Sequence, residues 1–133
     1  FPYYYQSRDM RYRFTTDGHF DLADYLGDHG AARPAKLDGT AKLIGMPGKI
    51  DGCDGSKVAE MIADGRLDEV QAYVLSDVAQ PGGIFLRVQY LRGLLDGDGY
   101  VASMADLIAW IDRDPRLKPV SERLDRTRLL TVP

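Results

Sequence analysis

From Leu22 onward the apolar residues of this chain return every third or fourth position and hardly ever every second one. Leu22, Tyr25 and Leu26 form one such set, followed by Leu37, Ala41 and Ile44, then by Val58, Met61 and Ile62. Leu67, Val70, Val74 and Val78 make the clearest stripe, and Ile84, Phe85, Val88, Leu91 and Leu95 resume it before Leu107, Ile108 and Ile111. That period lines up apolar side chains on one side of a helix, and it leaves little alternation from which to build a sheet. The chain is expected to be mostly α-helical, with about five to six helices and little strand. The exception is the aromatic and basic opening, Tyr3, Tyr4, Tyr5, Arg8, Arg11, Tyr12, Arg13 and Phe14. Residues 1–18 therefore read as an extended arm or strand and residues 19–133 as the helical part of one domain.

Punctuation places the elements. Asp21 opens a first helix that ends near Gly30, and Gly45 and Pro47 stop a second that begins at Leu37. Residues 45–55, GMPGKIDGCDG, carry too many turn formers for anything but a loop. Asp54 or Ser56 is expected to cap the third helix and Gly65 to close it. Asp68 and Glu69 then sit in the first turn of the fourth, where they complement the helix dipole. Pro81 has no N–H to give the Asp77 carbonyl, and Gly82 and Gly83 weaken the same turn, so a kink or break is expected there. Asp96-Gly97-Asp98-Gly99 reads as a turn, Ser103 as the cap of the next helix and Asp114-Pro115 as its end, with a further turn or two after Arg116.

The 133 residues, 44% hydrophobic and 28% charged with a formal net charge of -3, fit one folded domain. No run approaches the roughly 18 apolar residues of a bilayer-spanning helix. The opening Phe1-Pro2-Tyr3-Tyr4-Tyr5 carries no recognisable targeting signal and does not start with Met, so it reads as a cut. The lone Cys53 excludes an internal disulfide framework and a multi-cysteine zinc site, and suits a reducing cytoplasm. A pI near 5.3 gives no global basic footprint, so any polyanion site is local or depends on bound metal.

Most motifs fail on spacing. Leu43 and Ile50 occupy key positions of a phosphate-binding loop around Gly48-Lys49, Gly55 and Ile62 spoil a calcium loop from Asp51, and Tyr100 spoils one from Asp96. His19 and His29 lack the spacing of a helical zinc pair, and neither a serine nor Cys53 has the setting of a nucleophile. One constellation remains: Tyr73 and Asp77, four residues apart, project from the same side of a helix. A hard cation takes carboxylate oxygen, and a phenol beside it is placed to orient a water.

The surrounding string, HFDLADYLGDHGAARPAKLDGTAKLIGMPGKIDGCDGSKVAEMIADGRLDEVQAYVLSDV followed by FLRVQYLRGLL, resembles the C-terminal half of the predicted 3′-5′ exonucleases similar to the proofreading domain of family B DNA polymerases. The likeness runs from His19 to Leu95. It implies the ribonuclease H-like parent fold of the DEDDy group, a mixed sheet flanked by helices, and metal-assisted hydrolysis at a nucleic-acid 3′ end, DNA above all. It also implies that Tyr73 and Asp77 are the third exonuclease motif, with Asp77 a ligand of Mg or Mn and Tyr73 positioning the attacking water. His19 and Asp21 match a His-x-Asp-Leu segment that is either structural or lines the nucleic-acid cleft. Lys49 and Lys57, in the matching connector, are candidates to touch phosphate.

The chain departs from that pattern in three ways. Neither the first motif, Asp-x-Glu on a strand, nor the second, ending in Asp, is found, and a two-metal centre needs more carboxylates than Asp77 alone. The chain alone is therefore expected to be inactive. The family's helix continues past the third-motif aspartate where this chain has Ala79-Gln80-Pro81-Gly82-Gly83, and Val74 and Leu75 replace a more polar pair. Helices made to cover a sheet expose their stripes without one, so a missing N-terminal segment, a rearrangement or a homo-oligomer is expected. The alternative reading is a non-catalytic helical module that binds nucleic acid or protein, with phosphate contacts from Arg8, Arg11 and Arg13 or from Arg116, Lys118, Arg123, Arg126 and Arg128.

Overall fold

The computed structural model describes residues 20–33, 35–50 and 55–132, so the opening arm, His19, Cys53 and Asp54 lie outside the described residues. Among the described residues there are seven α-helices and no strand, one helix more than the periodicity suggested. No described helix is long and apolar enough to cross a membrane. The chain divides between Leu37 and Asp38 into two compact units.

In the first unit, Asp21 accepts hydrogen bonds from the Ala23 and Asp24 amides at 2.9 and 3.0 Å and so starts α1, Leu22–Leu26. A 3-10 turn follows at Asp28–Gly30, with Asp28 and His29 in the left-handed region at φ 49° and 51°. His29 Nδ1 donates to Asp24 at 2.8 Å, and the Tyr25 ring packs on Phe20 with centroids 5.1 Å apart.

The second unit is built on two antiparallel helices, α4 (Leu67–Leu91) and α5 (Gly97–Arg113). Before them come α2 (Leu37–Ile44), a 3-10 turn at Gly55–Lys57 and α3 (Val58–Ala63); after them a 3-10 turn at Pro115–Leu117, α6 (Lys118–Ser121) and α7 (Arg126–Leu130). Tyr100, Met104, Ile108 and Ile111 of α5 meet Ala79, Ile84 and Val88 of α4 in a core closed by Met46, Leu117, Val120 and Leu129. At one end of the pair the Arg87 guanidinium lies 4.6 Å from the centre of the Tyr100 ring. At the other end Arg116, just past α5, donates to Gln71 of α4 at 3.2 Å.

Arg87 also closes the C-terminal helix. Its amines donate to the Thr131, Arg128 and Leu129 carbonyls at 3.0, 3.0 and 3.4 Å, and the Tyr100 hydroxyl donates to Leu129 at 2.6 Å. These carbonyls end α7, the negative end of a helix, which is where a buried cation is least costly. The loop after α2 is tied to the same region, because the Asp125 amide donates to the Gly45 carbonyl at 2.9 Å. Gly45 has φ 103°, and a Cβ there would stand 2.8 Å from the Asp125 carbonyl, so only glycine fits.

Several local expectations are corrected by packing. The helix does not break at Pro81; α4 is continuous from Leu67 to Leu91. Ala79, Gln80, Gly83 and Ile84 are all buried there, and Gly83 is the point at which α4 presses on the Met46 side chain. Tertiary contact thus outweighs the lost Asp77 hydrogen bond and the weak propensity of two glycines. Asp96 is not in a turn before a Ser103 cap: its side chain accepts the Gly99 amide at 2.7 Å, so the fifth helix starts at Gly97. Ser56 does not cap α3, because it lies in the 3-10 turn and Lys57 is the capping residue, without a side-chain bond. Gly65, φ 74°, does close α3: its amide bonds Ile62 and the Arg66 amide bonds Met61, a Schellman pattern. Leu67, Val74 and Val78 remain 53%, 48% and 58% exposed, so most of the clearest stripe lies on the surface.

Candidate metal-binding and 3′-end face

Tyr73 and Asp77 lie one turn apart on α4, about 6 Å along its axis, where i and i+4 side chains are neighbours. Tyr73 is half-buried and Asp77 exposed. The phenol passes beside the 3-10 turn Gly55–Lys57: a Cβ on Gly55 would stand 3.5 Å from the Tyr73 hydroxyl. That turn fixes one side of the phenol, while the carboxylate one turn on stays open to solvent.

Gln80 continues the same face, seven residues from Tyr73 and three from Asp77. It is only 5% exposed; its Nε2 donates to the Ser76 carbonyl at 3.4 Å, and its Oε1 is buried with no hydrogen-bond partner. An unpaired buried oxygen costs about 1–3 kcal/mol. Pro81 follows at once, so Asp77 sits where the helix gives its carbonyl no i+4 donor. The spacing Tyr73, Asp77, Gln80 is readable as one helical face; the burial of Gln80 is not, because it depends on packing.

The other site residues are placed separately. Lys57 ends the turn beside Tyr73 and is exposed. Lys49 is exposed too, but its backbone is fixed: its amide donates to Asp38 at 2.6 Å while the Lys42 ammonium donates to the same carboxylate at 2.9 Å. These hydrogen bonds, Lys42 first, hold the Asp38 carboxyl below the usual carboxylate range. Gly48, φ 74°, adopts the left-handed backbone that favours glycine and lies against the same carboxylate. Asp21 belongs to the first unit, where its side chain is the cap of α1. His19 lies outside the described residues.

Among the described residues there is no group of three or more His, Cys, Asp or Glu side chains able to hold a metal ion. Asp77 alone fits one position in the shell of a hard cation, an oxygen ligand on a rigid helix, and does not complete that shell. Elsewhere some of the described carboxylates are held in local pairs: Glu69 with Arg66 at 2.5 Å, Asp114 with Arg116 at 2.7 Å and Asp112 with Arg126 at 2.6 Å.

No curated protein and no solved structure matches the chain. One family model does, described as predicted 3′-5′ exonuclease related to the exonuclease domain of PolB, and it covers residues 3–125. The match takes in Tyr73 and Asp77 and reaches beyond the His19-to-Leu95 stretch at both ends. The chain belongs to the family of predicted 3′-5′ exonucleases related to the exonuclease domain of PolB.

Proposed function

We propose that this chain is the helix-rich C-terminal part of a 3′-5′ exonuclease domain of ribonuclease H-like parent fold, acting on nucleic acid, DNA in the first place. The observation that carries this reading is the coincidence of the family match over residues 3–125 with an exposed Asp77 one turn from a held Tyr73. Asp77 would hold Mg or Mn through its carboxylate. Such a cation, when bound, supplies the Lewis-acid charge that phosphodiester hydrolysis needs.

The chain's own residues do the positioning. The Tyr73 hydroxyl, held against the Gly55–Lys57 turn, accepts and donates hydrogen bonds and so sets the direction of a water beside the scissile phosphate. Lys57 is at hand on the same turn as a cation for the strand's phosphates. Because the 133 residues contain no Asp-x-Glu motif, the chain by itself is proposed to be inactive, with the remaining ligands supplied by the first two acidic motifs of a complete domain.

The test is digestion of a 3′-labelled single strand with magnesium or manganese by the native gene product, its mass determined first, and by its Asp77→Asn and Tyr73→Phe variants. The expected result is metal-dependent trimming from the 3′ end, reduced about 100-fold or more by Asp77→Asn and about 10-fold or more by Tyr73→Phe. Trimming indifferent to Asp77 would refute the assignment. Metal-independent, salt-sensitive binding without any trimming would favour a non-catalytic nucleic-acid-binding module.

A further inference from the structure

A groove of about 470 Å³ opens to solvent where α5 ends, lined by Trp110, Arg113, Asp114, Pro115 and Arg116. Trp110 is the chain's single tryptophan and is 38% exposed in a protein that buries most of its other large α5 side chains. Arg113 lies one turn further on, and its Nε donates to the Ala109 carbonyl at 3.1 Å, which draws its stem back beside the turn that carries Trp110. Pro115 then turns the chain so that Arg116 faces the groove. The Arg116 guanidinium is set in place by three bonds, to both Asp114 oxygens at 2.9 and 2.7 Å and to Gln71 of α4 at 3.2 Å.

The lining therefore combines one aromatic face with two guanidinium groups: Arg113 carries a charge uncompensated among the described residues, while Arg116 is paired with Asp114 and lies in the field of Asp68, and still has N–H groups on its outer edge. A nucleotide offers the complement: a planar base to stack on the indole, and a phosphate to accept from the guanidinium edges. An acidic peptide would satisfy the arginines and leave the exposed indole without a purpose. A duplex hides its base faces, whereas a single strand presents them. We propose that this groove is a second nucleic-acid contact, in which Trp110 stacks a base of a single strand and Arg113 and Arg116 hold its phosphates.

This inference rests on the proposed function in one respect, the nature of the ligand. It concerns a different face of α4: Asp77 lies six residues from Gln71, about 9 Å along the axis and about 120° around it. The groove would hold the strand away from its reacting end, and so needs neither metal nor Asp77.

The single tryptophan reports directly. A thymidine 20-mer titrated into the chain in EDTA is expected to quench Trp110 fluorescence, equally in wild type and Asp77→Asn. Arg113→Gln with Arg116→Gln is expected to weaken binding about tenfold and to flatten the log-affinity against log-salt slope by about 1.4, two single-strand phosphate contacts. Arg113→Gln alone touches only its own helix and is expected to flatten it by about 0.7. Absent quenching, or quenching whose affinity and salt slope survive both arginine changes, would overturn the inference, as would equal binding of the same strand paired in a duplex. Lost quenching beside Asp77-dependent trimming would sink this groove alone; intact quenching beside trimming indifferent to Asp77 would sink the catalytic assignment alone.

Discussion

Gly82 and Gly83 are neighbours in the interior of α4, so changing each to alanine removes the same backbone freedom from the unfolded chain and gains the same helix propensity, about 0.5–1 kcal/mol. Their surroundings differ. A methyl on Gly82 falls 3.7 and 3.8 Å from the two Leu107 methyls, an ordinary contact that adds apolar burial. Gly82→Ala is therefore expected to stabilise the protein by about 1 kcal/mol. A methyl on Gly83 meets the Met46 Cε at less than contact distance, with Met46 Cγ at 3.4 Å and Ile44 Cδ1 at 3.6 Å. Met46 is only 2% exposed, so its end cannot swing into solvent, and overpacking of this kind costs about 1–3 kcal/mol. Gly83→Ala should be neutral to destabilising by about 2 kcal/mol, leaving about 2 kcal/mol between the two variants. Urea unfolding at constant m-value measures that difference, and a melting curve of the 133-residue chain would show it as about 7 °C. Equal stabilisation by both substitutions would refute the claim that close packing on Met46 keeps α4 continuous through Pro81.

Tyr100→Phe removes the 2.6 Å donor to Leu129 and is expected to cost about 1 kcal/mol near neutral pH. Burial raises the Tyr100 pKa, partly opposed by Arg87. Below about pH 10 both states keep the proton; above it the unfolded state ionises first, so stability falls as pH rises towards the folded-state value. Unfolding midpoints at pH 9 and 11 should therefore converge between wild type and Tyr100→Phe. Arg87→Met takes three donors from the carbonyls that end α7 and should cost about 2–3 kcal/mol. Hydrogen exchange would then quicken first at Leu129 and Leu130; a uniform acceleration across α4 and α5 would contradict the local role of Arg87.

Legibility followed the range of the interaction. The bounds of α2 and the start of α1 depend on residues beside them, Gly45 with Pro47 and Asp21, and the periodicity located both. The Tyr73–Asp77 pair was readable for the same reason, since helical spacing alone puts them together. Pro81-Gly82-Gly83 misled because its meaning is a contact with Met46 and Leu107, far away in the chain. Asp96-Gly97-Asp98-Gly99 misled because a helix cap and a turn use the same residues, and only the following core residue, Tyr100 with its bond to Leu129, decides between them. The buried Gln80 oxygen and the groove beside Trp110 have no signature in spacing, since each depends on which face of a helix its neighbours cover.

The most direct test of the Asp77 assignment is manganese-induced line broadening in the amide spectrum of the native gene product, which asks where a divalent cation resides without requiring activity. The account predicts broadening centred on the amides from Tyr73 to Gln80 and on the Gly55–Lys57 turn, lost in Asp77→Asn. Broadening that survives the substitution, or that centres on Asp112 and Asp114 at the far end of α5, would contradict it.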